Sequence, residues 1–252
     1  MKNTQNIFDD EDFFEGYRKI RDNPVNYNKL LEQPALMSLL PDLEGKSVLD
    51  IGCGAGGACL EYVRRGASQV TGIDLSEKML ALAKIQALHE KIQYERMDMC
   101  DIGTLNRRFD IVVSSLAVHY VAEFPTLLSA ISDCLNDGGC FLFSQEHPLT
   151  TAPCTGPKFT VAENGELLHY NLTDYGRGGI RSTKWMVNGV INYHRTFSEI
   201  INALLDADFA IDRMLEPLPD DPTLCLNPNM EKEFYKPSFL VIRCRKSQKQ
   251  HC

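Results

Sequence analysis

At 252 residues, 44% of them apolar, the chain is long enough for one α/β domain with additions or for two small domains. No apolar run reaches the roughly 18 residues of a membrane helix, and the opening MKNTQNIFDDEDFF lacks the apolar stretch of a signal peptide, so a cytoplasmic protein is expected. Nine scattered cysteines without zinc-site spacing suggest free thiols and no metal, while the net charge of −8 is concentrated in residues 41–146, where nine basic residues face fifteen acidic ones. Such a field disfavours a polyanion and tolerates a cation.

In chain order, residues 1–40, with Leu36, Leu39 and Leu40 before Pro41, predict helices covering the loop side of a sheet; residues 41–252 form the main domain. Ser47–Ile51 reads as a first strand and Ala58–Arg65 as a helix stopped by Gly66. Gln69–Ile73 is a second strand. Ser76 is a candidate N-cap, with Leu75 and Leu80 as a hydrophobic staple, for a helix to about His89. Ile92–Met97 and Phe109–Ser114 are the next strands, then a helix over Phe124–Leu135, a turn at Asp137-Gly138-Gly139 and the strand Cys140–Ser144. Strands separated by helices imply parallel pairing and a doubly wound α/β sheet.

After Glu146 the pattern changes. Asn164-Gly165 and Asn188-Gly189, each between strand-like arms, predict two hairpins with type I′ turns, so residues 147–195 read as an antiparallel insert. Thr196-Phe197-Ser198-Glu199 matches a capping box for a helix to about Ala207. Strands at Ala210–Leu215 and Ser238–Cys244 flank a loop with five prolines, and the tail RCRKSQKQHC reads as a disordered or solubilising end.

The stretch VLDIGCGAGG carries the chemistry. Gly52, Gly54 and Gly57 satisfy GxGxxG, and Asp74 ends the next strand, where a carboxylate can hold a ribose diol; both features also fit NAD and an oxidoreductase. Asp50, two residues ahead of the first glycine, would repel a pyrophosphate there. S-adenosylmethionine instead brings an ammonium and a sulfonium for the aspartate, and a carboxylate for the loop N–H groups.

VLDIGCGAGG, GIDLSEKML, ERMDMCDI, FDIVVSSLAVHYV and DGGCFLFSQEHP, in this order over residues 45–146, resemble the motifs of class I S-adenosylmethionine-dependent methyltransferases. FFEGYRKI, NYHRTFSEIINALLDADF and KPSFLVIRCRK extend the resemblance to a bacterial small-molecule subgroup. It implies a Rossmann-like seven-stranded sheet, order 3-2-1-4-5-7-6, with the last strand antiparallel. Site roles follow by the same resemblance: Asp50, Gly52, Cys53 and Gly54 at the methionine half, Asp74 on the ribose, and Leu75 and Met79 beside the adenine. Asp98 and Met99 would read the adenine edge, Ser115 and Leu116 would line the methionine side, and Tyr17 would close over the cofactor carboxylate.

The expected reaction is in-line methyl transfer to O, N or C of a small molecule, resting mainly on alignment, with a base only for a protonated nucleophile. His119, Glu146 and His147 follow strand ends, where ligands bind in open sheets, and His194 leaves the second hairpin. His119, His147 and His194 are the candidate catalytic groups; Glu146, Trp185 and Tyr193 are the candidate acceptor contacts. An RNA methyltransferase, for which no basic stripe is present, and a non-catalytic cofactor-binding scaffold are the remaining alternatives. Neither a membrane nor a nucleic acid is an expected partner, and the chain is compatible with a monomer or a homodimer.

Overall fold

The parallel core strands bury side chains on both faces, as strands between two helix layers must. The computed structural model describes residues 5–247. Helix α1 (Glu11–Asp22), a π-helical turn (Asn28–Glu32) and α2 (Gln33–Ser38) precede the sheet. Then β1 (Ser47–Ile51), α3 (Gly57–Arg64), β2 (Gln69–Asp74), α4 (Glu77–Gln86), β3 (Ile92–Arg96), β4 (Phe109–Ser115), α5 (Phe124–Cys134) and β5 (Leu135–Glu146) alternate. A short α6 (Pro148–Thr151) leads into two hairpins, β6–β7 (Phe159–Val161, Leu167–Tyr170) and β8–β9 (Gly179–Trp185, Val187–His194). Helix α7 (Phe197–Asp206), β10 (Phe209–Leu215), α8 (Asp221–Leu226) and β11 (Phe239–Lys246) complete the chain.

The seven main strands lie in the order β3-β2-β1-β4-β5-β11-β10. β1 pairs in parallel with β2 and β4, and β11 runs antiparallel to β5 and β10, so the expected topology is present. Alternation along the strands divides the core in two. Leu49, Ile51, Val112, Phe141 and Phe143 pack with Phe124 and Leu128 of α5 and Leu204 of α7. Val48, Val70, Val113 and Leu142 pack on the other face with Leu36, Cys59, Tyr62 and Leu80. Among the described residues no helix is long and apolar enough to cross a membrane.

Several local expectations differ. The helix capped by Ser76 ends at Gln86, three residues early. Asp137-Gly138-Gly139 lies inside β5 as an irregularity: Phe109 faces Leu135 while Ile111 faces Cys140. The first hairpin uses a three-residue loop: Gly165 N–H donates to Ala162 O (2.9 Å), and Gly165 alone in that turn has positive φ, which makes a type I turn with a bulge rather than type I′. The second reverses at Met186 (φ 60), and Gly189 (φ 80) is a bulge on the returning arm. The proline-rich segment forms α8 and a 3-10 turn, Pro228–Phe234. Arg243–Lys246 of the basic tail belong to β11, and residues 248–252 lie outside the described residues.

The capping box of α7 is closed on both sides. Thr196 Oγ1 accepts from Glu199 N–H (3.3 Å) and Glu199 Oε2 accepts from Thr196 N–H (2.7 Å). Thr196→Ala should therefore lower the unfolding free energy by about 1 kcal/mol in urea melts, with Thr196→Ser restoring most of it.

Candidate active site

The glycine turn follows β1 directly. Gly52 (φ 73), Gly54 (φ 54) and Gly56 (φ 76) all adopt the left-handed region. A Cβ on Gly52 would lie 2.6 Å from Ala117 Cβ, so the turn abuts the loop after β4, and one on Gly56 would meet the Tyr94 hydroxyl. The N–H groups of Gly52 and Cys53 donate to Ile73 O (2.9 and 3.0 Å), and Gly54 N–H donates to Asp74 Oδ2 (2.9 Å). These three donors face β2. They are therefore engaged within the fold, which removes donors that a diphosphate would need.

Carboxylates dominate what remains. Asp50 is buried and, among the described residues, accepts only from the weak Cys59 thiol (3.3 Å); burial pushes its carboxyl up to about 7, with Asp74 and Glu32 adding to the rise. Asp74, also raised by burial, accepts from Ser76 N–H (2.8 Å) and Gly54 N–H, which pull it back down. Asp98 caps the turn after β3 by accepting from Cys100 N–H (2.9 Å). A site of this kind suits a positively charged ligand: the ion it receives replaces repulsion among acids with attraction.

A cleft of ≈1640 Å³ opens over the carboxyl ends of β1, β2 and β4, where open α/β sheets bind ligands. Asp50, Gly52, Cys53, Gly54, Asp74, Leu75, Met79, Asp98, Met99, Ser115, Leu116 and Tyr17 all line it. His119, Glu146, Trp185 and Tyr193 line it as well. His119 is buried against the Tyr120 ring (4.3 Å between centroids), its Nδ1 has no hydrogen-bond partner among the described residues, and burial holds its pKa below the usual imidazole value. Asn192 Nδ2 donates to Glu146 Oε2 (2.6 Å). Trp185 stands edge-on to Phe13 (5.3 Å) and Tyr17 (6.1 Å), joining α1 to the β8–β9 hairpin.

His147 and His194 are placed elsewhere. His147 caps α6: its Nδ1 accepts from Leu149 N–H (3.1 Å) and its Nε2 bonds Glu216 (2.8 Å). His194 bonds Thr151 Oγ1 (2.8 Å) through Nδ1 and Tyr175 O (2.9 Å) through Nε2. Neither lines the cleft, and both ring nitrogens of each are engaged within the fold.

Sequence reasoning missed two acids of the N-terminal cover. Glu32 is fully buried at the ends of β4 and β5. Asp9 accepts from Ser76 Oγ (2.6 Å) and from the N–H groups of Lys78 (3.1 Å) and Glu77 (3.3 Å), so it sits on the N-terminus of α4 beside Asp74. No motif marks either residue. Their partners in the sheet and in α4 lie 67 or more positions away in the chain, so only the fold reveals them.

The glycine turn after β1, the acidic strand ends and the antiparallel β11 together define a Rossmann-like methyltransferase architecture. Residues 48–139 match a family model described as a methyltransferase domain. A solved S-adenosylmethionine dependent methyltransferase from Mesorhizobium loti superposes with a TM-score of 0.78 at 37% identity, covering 85% of this chain and 97% of its own. An uncharacterized protein of Haemophilus influenzae is 39% identical over 99% of this chain and 100% of its own. A ubiquinone biosynthesis O-methyltransferase of Bordetella avium is 31% identical over 43% of this chain and 46% of that protein. The chain belongs to the S-adenosylmethionine-dependent methyltransferases, and S-adenosylmethionine is its cofactor. The oxidoreductase alternative falls with that membership.

Asp9 provides a test of how the cover is held. Burial alone would raise its pKa, but the bonds from Ser76, Lys78, Asn6 and Glu77 outweigh it and leave the net shift downward. Its stabilising effect is thus present above the ordinary carboxylate value and is lost as pH falls through the lowered one. Asp9→Ala should speed amide exchange in α1 at pH 7 while leaving β1–β5 protected, as read by hydrogen-exchange mass spectrometry.

Proposed function

We propose that the enzyme transfers the methyl group to a hydroxyl oxygen of a small molecule bound between the N-terminal cover, the loop after β4 and the β8–β9 hairpin. One observation carries the reading: His119 Nδ1 is buried in the cleft wall, without a partner, on an imidazole whose burial favours its neutral form. A hydroxyl must give up its proton to become a good nucleophile, and a neutral imidazole near the strand end is the group to take it. Glu146 raises the basicity of this imidazole electrostatically and would favour the imidazolium that forms. O-methyltransferases among the relatives support the same direction, although each matches this chain over less than half of its length.

S-adenosylmethionine supplies a methyl group on a positive sulfur that leaves as a neutral thioether, so no acid is needed for the leaving group. Asp50, with the turn at Gly52, Cys53 and Gly54, would hold the methionine half together with Ser115 and Leu116. Asp74 would accept from the ribose, Leu75 and Met79 would flank the adenine, and Asp98 with Met99 would meet its edge. Tyr17 would close the methionine end from α1, and Trp185, Tyr193 and Glu146 would bound the acceptor. With alignment as the main source of acceleration, these contacts fix one reactant against the other and exclude water. His147 and His194 take no catalytic part in this reading.

Two results test it. Methyl-labelled S-adenosylmethionine offered with a panel of phenols and simple alcohols should label at least one of them. His119→Gln should then lower kcat by about a hundredfold while S-adenosylmethionine affinity stays within twofold; loss of cofactor binding instead would remove the base assignment. Separately, Asp50 must lose its proton to meet a cation, so cofactor affinity should rise about fivefold to tenfold from pH 6 to pH 7.5, and Asp50→Asn should flatten that dependence.

A further inference from the structure

Glu32 is the least explained polar group in the structure. It ends the π-helical turn of the N-terminal cover, is 0% exposed, and bonds Ser115, a residue of the cleft wall 83 positions away in the chain. Its Oε1 accepts two hydroxyl protons, from Ser115 Oγ (2.8 Å) at the end of β4 and from Ser144 Oγ (2.5 Å) in β5. Its Oε2 is buried without a hydrogen-bond partner among the described residues. Burial raises the Glu32 pKa above the ordinary carboxylate value, and the bonds from Ser144 and Ser115, with Arg21 of α1, pull it back toward the ionised form. Such a charge, left half-satisfied in the interior, costs stability unless something positive approaches it.

The same serines lead to the ligand side. Ser144 Oγ, while donating to Glu32, accepts from Leu116 N–H (3.0 Å). Leu116 has φ 51, a left-handed conformation that a leucine adopts only when its surroundings impose it. The next residue, Ala117, is the one that leaves no room for a side chain on Gly52. Glu32 therefore holds the loop after β4 against the glycine turn. Its charge is also felt by Asp50, and Arg21 of α1 is the cation that acts on it.

We propose that Glu32 is a positioning and specificity-determining residue of the cofactor site: it fixes Leu116 through Ser144, and its buried negative charge makes the cleft prefer the cationic methyl donor over the neutral product S-adenosylhomocysteine. The inference rests on the assignment of the methionine half to Asp50, Ser115 and Leu116. Donor and product differ at one sulfur, positive before transfer and neutral after it. A fixed charge out of reach of solvent discriminates between them without touching either, and so favours product exit after each turnover.

Glu32→Gln separates charge from position, because the amide oxygen can still accept from both serines. Calorimetric affinities for S-adenosylmethionine and S-adenosylhomocysteine should show the donor weakened about fivefold or more and the product changed less than twofold. Ser144→Ala removes one donor from the carboxylate and one of the two acceptors of Leu116 N–H, so it should weaken both ligands and also lower the donor-to-product preference. Equal effects of Glu32→Gln on the two ligands, or none, would overturn the proposal. If Glu32→Gln does not fold, Ser115→Ala removes one donor from the carboxylate; it should lower the donor-to-product preference in the same direction, and an unchanged preference would count against the role. Asp50→Asn is the control for the underlying assignment: a preference unaffected by Asp50→Asn would show the methionine half to lie elsewhere, whereas a response to Asp50 but not to Glu32 would remove only the present inference.

Discussion

A carboxylate buried in the middle of the sheet, with a weak thiol as its hydrogen-bond donor, is the constraint around which the site is arranged. Asp50 is the last residue but one of β1, flanked in register by Gly72 of β2 and Val113 of β4. Its two neighbouring acids, Asp74 and Glu32, come from opposite sides and raise its pKa rather than neutralising it. A protein that needed only a stable sheet would gain by an apolar residue there. The arrangement becomes favourable once a cation occupies the cleft, which is what the cofactor of this family provides.

The second determinant is the N-terminal cover, which binds to the sheet by acids rather than by apolar area alone. Asp9 is tied to the start of α4, beside Asp74, and Glu32 to the ends of β4 and β5. Phe13 and Tyr17 of α1 meet Trp185 of the β8–β9 hairpin, so cover and hairpin form one wall. Packing is close there as well: a Cβ on Gly16 would lie 2.9 Å from Met186 Sδ. One wall of the cleft is thus built by two segments that lie outside residues 48–139, which the family model matches.

Local patterns made the core legible. Apolar runs separated by amphipathic helices gave all seven main strands to within two residues except β5, and Thr196 and Ser76 cap their helices as their side chains allow. What escaped was set by tertiary contact. Asn-Gly at 164–165 and 188–189 indicated reversals but not their geometry, and Met186 takes the positive φ of the second because α1 packs on the hairpin tip. Strand alternation explains the histidines: Glu146 and Tyr193 face the cleft, so the next residues, His147 and His194, point away into bonds of their own. Nearness to a strand end in sequence does not reveal side-chain direction, and no local signal links Glu32 to serines more than 80 positions distant.

The most direct test follows the Asp50 carboxyl itself. In protein carrying 13C-labelled aspartate, with Asp50→Asn used to assign the resonance, the carboxyl signal of the free enzyme should titrate with a midpoint near 7. Saturating S-adenosylmethionine should move that midpoint well below its free value. An ordinary midpoint in the free enzyme, or one that the cofactor leaves where it was, would contradict a buried anion as the basis of cofactor recognition.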